Sequence, residues 1–145
     1  MKAKKTWILI ANGTAAHILE NVGPGTGLKM LPNKVWHAPE KEAFESEQGM
    51  TNSSVGRSMH RMAPHNAPDK EEAAFAEEIA GHLSNALARG EFDNLVLTAA
   101  PKILGLLRPA LDTQVKASVI AELDKDLVKT PNVDLKSHFE DMLRL

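Results

Sequence analysis

The chain has no cysteine and no tyrosine, and aromatic residues make up only 4% of its 145 positions. The absence of cysteine removes disulfides, thiolate metal sites and cysteine nucleophiles together, and suits a reducing compartment. Long apolar runs are missing as well. The run behind the basic N-terminus, residues 7–11, stops at Asn12-Gly13, too short for a signal-peptide core or a membrane span. Nor is there a large excess of charge of either sign. A formal net charge of −2 gives no reason for wholesale binding to nucleic acid or membrane, so any electrostatic site is local. The expectation is a cytoplasmic chain without membrane insertion.

What is present fits one domain, since a chain of this length buries roughly 70% of the surface its unfolded form exposes. Residues 6–11 form a β-branched and apolar run. Asn12-Gly13 supplies a pair that tolerates positive φ in a tight hairpin turn, and residues 15–22 read as the returning strand. After the breakers Gly23, Gly25 and Gly27, residues 28–36 read as a third strand, interrupted near Pro32 and Asn33. Periodicity then vanishes over a long exposed loop, residues 39–68.

Asp69 and Glu72 have capping-box-like spacing. Phe75, Ile79, Leu83, Ala86 and Leu87 recur at helical spacing up to Gly90, a natural stop. Residues 95–99 are continuously apolar, as in a central strand covered on both faces. Pro101 predicts a helix through about Leu107, ended by Pro109; residues 119–123 predict another strand. Leu135, Phe139, Met142 and Leu143 share one face of a last helix beginning near Thr130-Pro131. The order β-β-(β)-loop-α-β-α-β-α implies a mixed sheet with helices on both faces, an α/β domain.

Candidate chemistry is sparse. The three glycines precede no helix start, so they read as a hairpin loop and not as a phosphate cradle. His60 and His65 share the loop with Arg57 and Arg61 but lack a third ligand at metal-site spacing. Glu122, Asp124 and Asp126 alternate at a predicted strand end, where carboxylates on one side can hold a divalent cation; a polar strand end is the blander reading. The stretch 49–67 carries Arg57 and Arg61 and no acid, a pattern that suits phosphate oxygens, although aromatic side chains for base stacking are absent from it.

Several stretches carry a resemblance. They are Thr6-Trp7-Ile8-Leu9-Ile10-Ala11-Asn12-Gly13, Val55-Gly56-Arg57-Ser58, Phe75-Ala76, and the run from Phe92-Asp93-Asn94-Leu95 through Pro101-Lys102 to Glu122-Leu123-Asp124-Lys125-Asp126-Leu127. In this order they resemble the bacterial host-attachment protein family, named for a suggested role in attachment to host cells. That family is similar to the middle domain of eukaryotic and archaeal peptide-chain release factors. The likeness implies a three-layer α/β/α fold with a mixed sheet, of the ribonuclease-H-like, translational-component type. In the release factors a Gly-Gly-Gln tripeptide in the loop before the long helix promotes peptidyl-tRNA hydrolysis. The corresponding loop here, residues 49–68, lacks it, which argues against hydrolysis. The resemblance therefore implies a non-enzymatic, translation-associated protein that binds the ribosome or ribosomal RNA through Arg57, Arg61 and Lys102, with no catalytic residue, metal or cofactor. The alternative is an interaction protein that serves attachment to host cells, directly or through a regulatory protein partner.

Overall fold

The computed structural model describes residues 4–23, 25, 27–39 and 70–140. Within them the chain forms β1 (Thr6–Ala11), β2 (Ala15–Asn21), β3 (Lys29–His37), α1 (Lys70–Ala88), β4 (Asn94–Ala99), α2 (Pro101–Ala110), α3 (Thr113–Ser118), β5 (Val119–Leu123) and α4 (Asn132–Phe139). The strands make one mixed sheet in the order β3-β2-β1-β4-β5. β1 pairs antiparallel with β2 and parallel with β4; β2 pairs antiparallel with β3, and β4 parallel with β5. The antiparallel opening and the later parallel unit thus share β1 as their common strand.

All six residues of β1 are buried. Successive side chains point to opposite faces of a strand, so Trp7, Leu9 and Ala11 enter the layer with Phe75, Ile79 and Leu83 of α1, Ile103 and Leu107 of α2, and Val115 of α3. Ile8 and Ile10 enter the opposite layer with Val96 of β4, Leu127, and Leu135 and Phe139 of α4. Helices therefore lie on both faces, three against one. The rings of Trp7 and Phe92 stack 4.8 Å apart, and Trp36 of β3 stacks on His82 of α1 at 4.4 Å, which ties the outermost antiparallel strand to the longest helix.

Local chemistry sets the boundaries. α1 ends in a Schellman arrangement: Glu91 N–H donates to the Ala86 carbonyl (2.9 Å), Gly90 N–H donates to Leu87 (3.0 Å), and Gly90 takes φ 74°. β3 keeps its pairing despite Pro32, because the register breaks between the pairs Leu19–Met30 and His17–Val35 and residues 31–34 stand outside the ladder. A second break, between Leu95 and Val96, shifts the parity of β5. Val119 consequently joins the layer of α1 to α3, whereas Ala121 and Leu123 join that of α4.

Three expectations need correction. α2 does not stop before Pro109 but runs to Ala110; a proline so near the end forfeits one hydrogen bond, and Leu111 N–H still reaches the Leu107 carbonyl at 3.1 Å. The short α3 is an additional element, capped by Asp112, whose carboxylate accepts from Val115 N–H (2.8 Å) and from the Ser84 hydroxyl (2.6 Å). Both bonds hold the Asp112 carboxyl below the usual carboxylate range, the Ser84 bond most. Finally, Gly13 does not take a positive φ. The last-helix residues Met142 and Leu143, and Asp69 of the expected capping box, lie outside the described residues.

Two buried polar groups make the packing testable. Thr98 is fully buried, and its hydroxyl has no hydrogen-bond partner among the described residues. Thr98→Val should therefore leave stability unchanged or raise it by about 1 kcal/mol in urea unfolding, since an unsatisfied hydroxyl costs roughly 1–3 kcal/mol. A loss of that size would mean that the hydroxyl is bonded. His17 lies across from Ile10 and Val35 and is only 8% exposed; desolvation pushes its pKa below 6.5. The unfolded chain then binds the proton more readily. Stability should be unaffected by this group above its unfolded pKa of 6.5 and fall as pH drops below it toward the folded value. In His17→Leu that part of the pH dependence should flatten.

Candidate functional site

In sheets with parallel strands, binding sites gather outside the carboxyl ends, where successive connections leave toward opposite faces. Here β4 leads into α2 on one face, and β5 leads through residues 124–131 into α4 on the other. The carboxyl ends of β1, β4 and β5 are therefore the place to look. Polar side chains at this edge include Asn12 and Thr14 after β1, Glu72 in the first turn of α1, Lys102 in the first turn of α2, and Asp126 after β5.

Asn12 is the centre of the arrangement. Its side-chain oxygen accepts from Thr14 N–H (2.8 Å), the Thr14 hydroxyl (2.9 Å) and Ala15 N–H (2.9 Å), which closes the β1–β2 turn. Its amide nitrogen donates to both carboxylate oxygens of Asp126, at 3.2 and 3.1 Å. Asp126 in turn accepts from Val128 N–H (3.1 Å), which turns the chain toward Leu127 and the α4 layer. The Thr14 carbonyl accepts from Ala38 N–H at 2.9 Å. The described residues break off at 39 beside this turn and resume with α1, whose Glu72 lies against Gly13.

That contact explains the glycine. A Cβ at position 13 would collide with Oε2 of Glu72, so the position needs space and not an unusual backbone. The other oxygen, Oε1, is 2.8 Å from the Lys102 ammonium. Glu72 thereby bridges the β1–β2 turn and the start of α2.

Of the residues singled out from sequence, Lys102 is at this edge, but its ammonium is held by Glu72. Arg57, Arg61, His60 and His65 lie outside the described residues. The acidic trio does not act as one group: β5 ends at Leu123, so strand alternation does not extend to Asp124 and Asp126. Glu122 accepts from Arg108 Nε (3.0 Å) and Nη2 (2.7 Å), while Asp126 serves Asn12. Among the described residues no three His, Asp or Glu side chains group as metal ligands. The glycines after β2 do form the connection of an antiparallel hairpin, with φ values of 141°, 81° and 74° at Gly23, Gly25 and Gly27. Asn12 and Gly13 were legible as a turn; Glu72 as their partner was not.

Compared with models of protein families, residues 7–139 match the family described as protein required for attachment to host cells. The chain belongs to this family. The match spans β1 to the end of α4, and so every described element from Trp7 on. No curated protein matches the chain. Membership in the host-attachment family corrects the translation-associated, ribosome-binding role, because the family is described by attachment to host cells. Among the described residues no helix of this family member is long and apolar enough to cross a membrane.

The collision at position 13 can be isolated by a double-mutant cycle. Gly13→Ala should cost no more than about 1 kcal/mol, because the obstructing atom is the end of a flexible side chain. In a Glu72→Ala background the same substitution should cost nothing measurable by thermal unfolding. An equal cost in both backgrounds would place the strain in the backbone.

Proposed function

We propose that this member of the host-attachment family is an interaction protein that serves attachment to host cells, directly or through a regulatory protein partner. The observation that carries the reading is the family match across residues 7–139, which runs through the whole described body and is not confined to one motif. At the carboxyl edge Asn12, Glu72, Lys102 and Asp126 are engaged in holding segments of the chain together, so a partner surface is to be sought elsewhere on the fold. The kinship with ribonuclease-H-like domains, implied by the release-factor likeness, belongs to the same proposal. It is supported by the strand order β3-β2-β1-β4-β5, in which β2 alone runs against the other four.

In-frame deletion of the gene should lower adhesion of the bacteria to host cells several-fold at unchanged growth rate, and the intact gene supplied in trans should restore it. Unchanged adhesion would reject the reading. Antibody labelling of intact and permeabilised bacteria then separates the two routes. Label on intact cells means direct contact with the host; label only after permeabilisation means action through a regulatory partner.

A further inference from the structure

β5 closes the sheet on its parallel side, and among the described residues no strand pairs with its outer edge. An edge strand turns alternate N–H and C=O groups outward, where another chain can bond to them. Alongside this edge, on the face of α2 and α3, is a groove of about 470 Å³ lined by Arg108, Pro109, Leu111, Lys116, Val119 and Glu122. Pro109, Leu111 and Val119 give it apolar walls. Ile120 is 50% exposed at the register break.

The charges in the groove are unequal. Arg108 donates twice to one oxygen of Glu122, so these two side chains form an ion pair with no net charge. Lys116 is exposed and has no acidic partner among the described residues. Lys116 is thus left as a cation at the groove with no carboxylate at ion-pair distance among the described residues. A helical occupant would need a broad apolar stripe facing it, whereas the groove offers three apolar residues beside a strand edge that no described strand pairs. An extended chain matches both features: alternate side chains enter the groove, and the backbone bonds the edge.

We propose that this groove receives an extended segment of a protein partner, which adds beside β5, lays apolar side chains on Pro109, Leu111 and Val119, and sets a carboxylate against Lys116. This deepens the reading of the chain as an interaction protein, and rests on it, by stating the chemistry of the partner.

The probe is a library of random seven-residue peptides displayed on phage, selected against the full chain and against Lys116→Glu and Ile120→Lys. Both positions are exposed, and circular dichroism melts confirm that the variants fold. Peptides enriched on the wild type should alternate apolar residues and carry at least one Asp or Glu. As synthetic peptides they should bind Lys116→Glu about tenfold more weakly or worse. Methylation of their alternate backbone nitrogens should abolish binding. No enrichment over an uncoated surface, equal binding to Lys116→Glu, or indifference to methylation overturns the proposal. So does self-association of the wild type in sedimentation velocity that Lys116→Glu removes, which assigns the groove to a second copy. Failure here with adhesion still dependent on the gene rejects the groove alone; loss of that dependence rejects the functional reading beneath it.

Discussion

Burial of β1 on both faces is the constraint on which the rest of the molecule depends. Its apolar side chains serve two layers at once, with Trp7 and Leu9 toward α1 and Ile8 and Ile10 toward α4. Truncating a buried Leu or Ile to Ala costs roughly 2–5 kcal/mol, a large share of the roughly 5–15 kcal/mol that separates a domain from its unfolded chain. Because β1 is paired along both edges, its position also dictates that of β2 and β4. A displaced β1 would disturb both cores and two ladders together.

The polar edge follows from that placement. Asn12 is the first residue beyond a strand that cannot move, so its side chain is delivered to a fixed point at the carboxyl edge. From there it closes the β1–β2 turn and holds Asp126, which starts the path to α4. Gly13 makes room for Glu72, and Glu72 reaches Lys102 at the start of α2. The hydrophobic core fixes the layers, and this small set of bonds fixes how the connections leave them. Each bond at such partly exposed positions contributes modestly, so their effect is orientation more than stability.

The parts legible in the sequence were those governed by local pattern. The spacing of Phe75, Ile79 and Leu83 with the Gly90 stop predicts α1, and the unbroken apolar run at residues 95–99 predicts a strand covered twice; both are found. Elements held by distant contacts escaped. α3 has six residues and one buried side chain, Val115, too little for periodicity, and its cap at Asp112 is strengthened by Ser84 on another helix. Asn12 and Asp126 meet across 114 positions, a distance at which spacing carries no information. The alternation of Glu122, Asp124 and Asp126 offers a cation site only as the rival to a plain polar strand end; the strand ends at Leu123, and the alternation with it. The role drawn from the release-factor resemblance failed differently, since a resemblance does not by itself transfer a function, and the family is described by attachment to host cells.

A role in attachment needs a surface, and the distribution of internal bonds shows where binding energy is to be found. At the carboxyl edge a partner must displace bonds already made, so each new polar contact replaces an old one and returns little. Exposed apolar side chains work the other way, because burying them gains roughly 25 cal/mol per Å² without breaking anything. Met30 and Val35 on β3, Ile120 on β5 and Val133 on α4 are such groups, and they are spread over three elements. None of these positions alone supplies the area of a specific interface. Affinity at any of them must therefore be supplemented by directional contacts, and the edge of β5, which no described strand pairs, beside the exposed Lys116 is where the proposed partner segment would find them.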